Sequence, residues 1–179
     1  MIKINISIIC FLLAILACKE PKLKSSAELI QNIEPITTSY YFIRHAEKDR
    51  SNPGNQNPHL TEAGKIRAKK WAELFKDVDF DAVYSTNFNR TRETAQPIAK
   101  KNNLDITIYN PRKMNYNSFL RETKGQSVLI VGHSETTPHF VNKIIKKRKY
   151  TDIDDSNFGN YYIVKIKGDI VTDKQLTMP

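Results

Sequence analysis

Apolar residues in this chain come in short runs that stop abruptly at polar ones, and the stops carry as much information as the runs. Tyr40 to Ile43 are four β-branched or aromatic residues in succession, too few for a buried helix and suited to a strand covered on both faces. The run ends at Arg44 and His45. Phe80 to Tyr84 reads as a second short strand, ending in Ser85-Thr86-Asn87-Phe88-Asn89-Arg90, and Leu104 to Tyr109 as a third. Ser127 to Val131 is a fourth, continuous in its apolar character, and it ends in Gly132-His133-Ser134.

Between these runs the spacing turns helical. Thr61 can cap a helix whose apolar stripe is Ile66, Trp71, Leu74 and Phe75. Thr91 to Lys101 carries Ala95, Ile98 and Ala99 inward, Ser118 to Glu122 reads as a helical turn, and Pro138 to Lys147 sets Phe140, Val141, Ile144 and Ile145 on one side. Lys48 to His59, rich in Asn, Ser and Pro, is a surface loop. Tyr161 to Ile166 and Ile170 to Thr172, joined around Lys167-Gly168-Asp169, form a closing hairpin. Strands alternating with helices predict an α/β fold, a three-layer α/β/α sandwich around a mostly parallel sheet.

Ligands of such sheets bind at the carboxyl ends of the strands. The strands at Tyr40, Phe80 and Ser127 each run into arginine or histidine, so parallel pairing brings Arg44, His45, Arg90 and His133 to one edge. Guanidinium forks match phosphate or carboxylate, and imidazole nitrogens act as nucleophile, base or metal ligand. Together they suit phosphoryl transfer. Arginines hold the non-transferred oxygens, one neutral imidazole attacks phosphorus and the other hydrogen-bonds the same oxygens. The positive charge of the arginines stands in for a metal ion, so no cofactor is expected. A zinc site with His59 as third ligand is the chemical rival, opposed by two cations in the same pocket.

The chain has 179 residues, 40% hydrophobic and 26% charged, which fits one domain with an appendage. Its 28 basic and 19 acidic side chains give a net charge of +9, which favours anionic partners. Lys146-Lys147-Arg148-Lys149 is expected to be a solvated helix end that complements the helix dipole. Nothing aromatic is interleaved with it, and no nucleic-acid partner is expected. His139 reads as structural, and Asp152 to Asp155 as a turn.

Lys3 precedes an unbroken apolar run from Ile8 to Ala17, of signal-peptide length. It ends in Ile15-Leu16-Ala17-Cys18, which resembles the lipobox of bacterial lipoproteins. The resemblance implies a signal peptide over 1–17, lipidation of Cys18, a tether over 18–38 and the folded domain over 39–179. The protein would then be lipid-anchored in the cell envelope after export. An ordinary signal peptide or a short anchor is the alternative. Ser25 and Glu28 have capping-box spacing for a short helix from Ala27 to Ile33 within the tether.

Arg44-His45-Ala46-Glu47 resembles the Arg-His-Gly signature of the histidine phosphatase superfamily, the phosphoglycerate mutase-like fold, with Ala46 where the glycine usually stands. Leu60-Thr61-Glu62-Ala63-Gly64 is similar to that family's Leu-Thr-x-x-Gly turn into its first helix. The segment from Ser85 to Ala95 resembles its Ser-(x)4-Arg-(x)2-Glu/Gln-Thr-Ala pattern, which places the second phosphate-binding arginine on Arg90 rather than Arg92. Val131-Gly132-His133-Ser134 resembles its Gly-His motif. The resemblance implies ester hydrolysis through a phosphohistidine on His45, with Arg44, Arg90 and His133 binding the phosphoryl group and further contacts from Asn52 and Ser134.

Family members that cleave poor leaving groups carry an acid between the second arginine and the Gly-His motif. Glu122 is the first choice here and Glu47 the second. If neither serves, small substrates with good leaving groups are expected, such as aryl phosphates or phosphohistidine. The other readings are a phosphoglycerate mutase, whose insertions around the site this compact domain lacks, and a surface lipoprotein that binds phosphate without catalysis.

Overall fold

The computed structural model describes residues 35–179. The signal peptide, Cys18 and the helix expected from Ala27 to Ile33 lie outside the described residues. Six strands and four helices follow in order: β1 (Thr37–Arg44), α1 (Glu62–Leu74), β2 (Ala82–Ser85), α2 (Asn89–Lys101), β3 (Ile106–Ile108), α3 (Tyr116–Glu122), β4 (Ser127–Gly132), α4 (Thr136–Ile145), β5 (Asn160–Lys167) and β6 (Ile170–Thr177). β1 begins two residues before the predicted domain boundary, because Thr37 and Thr38 pair with Lys167 and Ile166 of β5.

The strands form one sheet in the order β3-β2-β4-β1-β5-β6. β1, β2, β3 and β4 are mutually parallel, while β5 and β6 add an antiparallel edge. The sheet is therefore mixed and mostly parallel, as expected from alternating strands and helices.

Alternation along the two central strands divides the core. Tyr40 and Phe42 of β1, with Val128 and Ile130 of β4, face Phe119 of α3 and Phe140, Val141 and Ile144 of α4. Their neighbours Ile43, Leu129 and Val131 face Trp71 of α1 and Ala95, Ile98 and Ala99 of α2. Both faces of the sheet are thus covered, which is why the strands read as unbroken apolar runs. Each fully buried large side chain contributes about 1.5–3 kcal/mol, so these two clusters supply most of the driving force. Ile66 departs from the expectation. It is 56% exposed, and Ala68 and Gly64 take the inward positions of α1.

The predicted surface loop after β1 is closed at its base by an antiparallel bridge between Lys48 and Leu60. Thr61 then caps α1, accepting from the Gly64 amide at 3.1 Å, and its own amide donates to the Glu47 carbonyl at 2.9 Å. The helix start lies so close to β1's outgoing chain that a Cβ on Gly64 would sit 2.2 Å from the Glu47 carbonyl oxygen. Only glycine fits. We expect Gly64→Ala to cost about 1–3 kcal/mol in urea unfolding, whereas exposed Ile66→Ala should stay within about 0.5 kcal/mol of the parent. Equal effects of the two substitutions would contradict this packing.

Candidate active site

The parallel register of β1 and β4 pairs Arg44 with Gly132, and the amide of His45 donates to the Gly132 carbonyl at 3.0 Å. His45 and His133 therefore leave neighbouring strand ends side by side, with ring centroids 5.4 Å apart. Gly132 fits between them because nothing larger would. A Cβ there would meet the Thr137 hydroxyl at 2.7 Å and the Tyr109 hydroxyl at 3.1 Å. Ala46, in the place of the expected glycine, is wholly buried with Leu60 and Ala68, so its methyl group has apolar neighbours.

His45 has one ring orientation fixed by its own chain. Nδ1 lies 2.7 Å from the Ala46 carbonyl, which must accept a proton from it, leaving the Nε2 lone pair uncommitted. Burial, partly opposed by that carbonyl and reinforced by His133, Arg90 and Arg44, lowers its pKa to about 3. Thr94 braces the turn from both sides, accepting from the Ala46 amide at 2.9 Å and donating to the Arg90 carbonyl at 2.7 Å.

His133 is tied into a threonine relay. Thr86 Oγ1 donates to Thr91 Oγ1 at 3.0 Å, so the 2.9 Å contact with His133 Nε2 must be donated by the ring. Nδ1 then faces Arg90 Nη2 at 3.4 Å as an acceptor. Burial and Arg90 lower the pKa of His133 to about 4. Both imidazoles are neutral near pH 7.

The two arginines differ. Arg44, 2% exposed, donates through Nη1 to the carbonyls of Asp154, Asp155 and Asn157 and through Nη2 to the Asp155 carboxylate at 2.7 Å. It also lies 4.4 Å from the ring centre of Phe158. Only its Nε is left buried without a partner. Arg90 sits in the first turn of α2 rather than in the loop after β2, its guanidinium over the ring of Phe88, and both Nε and Nη1 are buried without partners. The two arginines that carry these three unmatched donors line one cavity of about 750 Å³, together with His45, His133, Lys48 and Tyr109. Burial pushes the Tyr109 phenol upward in pKa, and its hydroxyl too is unpartnered.

The remaining expected residues divide. Ser134 lines the cavity, its hydroxyl donating to Glu135 Oε2 at 3.1 Å. Asn52 does not: its side chain accepts from the Gly54 amide at 3.0 Å and shapes a turn within the exposed loop. Glu122 ends α3 facing a neighbouring cavity with Tyr84 and Asn115. Glu47 is taken by Arg67 at 2.6 Å. Although burial alone would raise its pKa, that arginine keeps the carboxyl below its ordinary value. His59 is bound to Glu93 and Asn89 away from the cavity. Among the described residues no three His, Cys, Asp or Glu side chains cluster as a metal site.

Two carboxylates that the sequence reading did not single out for the site do line it, Glu135 and Asp155. Glu135 is two residues past His133, a spacing that could have marked it. Asp155 arrives through the Arg44 contacts, and no local signal announced it. Those contacts, with Arg50 at 2.7 Å, hold its carboxyl below the usual range.

The sequence model of the histidine phosphatase superfamily (branch 1) matches residues 40–111, a window that includes Arg44, His45 and Arg90. No curated protein matches the chain in sequence. Among solved structures, the chain is similar to the candidate phosphohistidine phosphatase SixA from Agrobacterium tumefaciens, with 22% identity, a TM-score of 0.56, and coverage of 78% of this chain and 98% of that one. Alpha-ribazole phosphatase from Shigella flexneri gives 16%, 0.59, 78% and 96% in the same order. Phosphoglycerate mutase from Bacillus anthracis gives 14%, 0.55, 80% and 94%. At these identities the likeness is one of fold.

Unfolded, both imidazoles protonate near pH 6.5, but folded they do so only near 3 and 4. Between those limits the unfolded chain binds more protons, so stability is full above pH 6.5 and falls as the pH falls. We expect His45→Gln to flatten the loss of urea stability between pH 7 and pH 4.5. An unchanged pH dependence would contradict a buried neutral His45.

Proposed function

We propose that the chain hydrolyses phosphate monoesters, or the phosphoramidate of phosphohistidine, through a phosphohistidine formed on His45, a reading supported by the match of residues 40–111 to the histidine phosphatase superfamily (branch 1). The observation that carries this reading is the trio of buried, unpartnered guanidinium donors beside an uncommitted imidazole lone pair. Buried charged donors left unmatched are costly, and a phosphoryl dianion matches them.

In this reading the substrate phosphoryl group lies between Arg90, the Nε of Arg44 and His133. Nε2 of His45 attacks phosphorus, the bond to the leaving oxygen or nitrogen breaks, and water then cleaves the phosphorus–nitrogen bond to release phosphate. The bound dianion raises the proton affinity of His133 Nδ1, and the protonated ring donates to a phosphoryl oxygen. Asp155 is committed to Arg44 and Arg50. That leaves Glu135, rather than the expected Glu122, as the cavity carboxylate able to serve a leaving group.

With EDTA present, residues 19–179 should hydrolyse p-nitrophenyl phosphate. His45→Ala should abolish turnover, and Arg90→Gln should lower kcat/KM by about 10²–10³. Activity lost to the chelator, or kept by His45→Ala, would refute the mechanism. Glu135→Gln should slow an alkyl phosphate by about 100-fold while sparing p-nitrophenyl phosphate, and Glu122→Gln should alter neither. The reverse pattern would return the acid to α3.

A further inference from the structure

The cavity at the histidines does not end there. Pro111, Arg112, Glu135 and Thr136 are walls both of it and of a second cavity of about 500 Å³. His139 and Asp152 in turn are shared between that second cavity and a third of about 670 Å³. Glu135 at the N-cap of α4, His139 and Lys143 one turn apart within it and Lys146 at its C-cap line successive cavities, so α4 runs beside the three from end to end.

The far end of this groove of three adjoining cavities is basic. Lys143, Lys146, Lys147 and Arg148 line it. Lys149 is spent on Asp173, whereas Lys143, Lys146 and Arg148 form no ion pair among the described residues. The turn that presents them is built by one side chain. Asn142 donates to the Tyr150 carbonyl at 2.7 Å and accepts from the amides of Lys149 and Tyr150 at 3.0 Å. Lys146 itself adopts φ of 54°.

Resting on the phosphatase reading above, we propose that the substrate is an extended phosphorylated polypeptide segment whose phosphorylated residue enters the histidine cavity and whose acidic side chain reaches the basic turn after α4. Between its capping residues Glu135 and Lys146, α4 rises roughly 16 Å at 1.5 Å per residue, which an extended peptide spans in about five residues at 3.3 Å each. The middle of the groove distinguishes a peptide from a uniform polyanion. Glu135 and Asp152 stand there with Arg112, beside Met114 and Tyr116, so two carboxylates face one guanidinium. The carboxylates repel a chain charged at every unit, such as polyphosphate or nucleic acid, while sparse charge and an apolar side chain are accommodated.

The test uses phosphotyrosine peptides bearing a Glu-Glu pair four to six residues to one side or the other, with Gln-Gln counterparts, and residues 19–179 of the protein. In one of the two directions the Glu peptide should exceed its Gln counterpart by about tenfold in kcat/KM. Combined Lys143→Gln, Lys146→Gln and Arg148→Gln should erase that preference and leave p-nitrophenyl phosphate turnover unchanged. Equal rates in both directions, a preference that survives the triple substitution, or stronger inhibition by polyphosphate or an oligonucleotide than by the Glu peptide would each overturn the proposal. Should the protein hydrolyse neither p-nitrophenyl phosphate nor peptide, the phosphatase reading fails by itself. Anisotropy of fluorescein-labelled peptides then decides the groove, with the same Glu-over-Gln difference in Kd expected and its absence refuting it.

Discussion

A guanidinium group taken out of water must have its donors met, and in this protein that demand falls on Arg44 at the end of β1. Three backbone carbonyls and one carboxylate from residues 154–157 meet it. The contacts work in both directions. They keep a buried cation tolerable, and they draw the segment before β5 up to the strand ends, where Phe158 covers the guanidinium. Arg44 is therefore as much a bracket for the site as a ligand within it. Arg90 keeps two buried nitrogens unmatched against one on Arg44.

Around this bracket the site stays electrically quiet until it is filled. Burial beside cations keeps His45 and His133 neutral, so the charge of the cavity is set by its arginines, Lys48, Glu135 and Asp155 and not by the imidazoles. Their ring orientations are assigned by small polar groups: the Ala46 carbonyl for one, the Thr86–Thr91 pair for the other. Each holds one nitrogen and leaves the other facing the cavity, an arrangement that reduces the reorganisation an incoming phosphoryl group would demand.

The sheet, its parallel centre and the convergence of Arg44, His45, Arg90 and His133 were legible because each rests on a local pattern, an apolar run ending in a charged or imidazole residue. Side-chain facing on helices was less so. Ile66 looked apolar enough to face the core, yet the close approach at Gly64 sets the rotation of α1 and turns Ile66 outward. Asn52 lies off the cavity because its side chain satisfies the Gly54 amide within its own loop. Glu122 and Glu47 stand out by position in the chain, whereas position in space is decided by the end of α3 and by Arg67. Asp155 was invisible as a site residue, since only tertiary contacts carry it to Arg44.

The pairing of β1 with β4 also governs when the site comes into being. Their parallel register joins strands that lie far apart in the chain, with Tyr40 and Thr123, 83 residues apart, hydrogen-bonded beneath it. Closing so long a loop is entropically slow compared with forming the β5–β6 hairpin or any single helix. Both histidines take their places only when these strands are paired, so the cavity they line depends on contacts between distant parts of the chain.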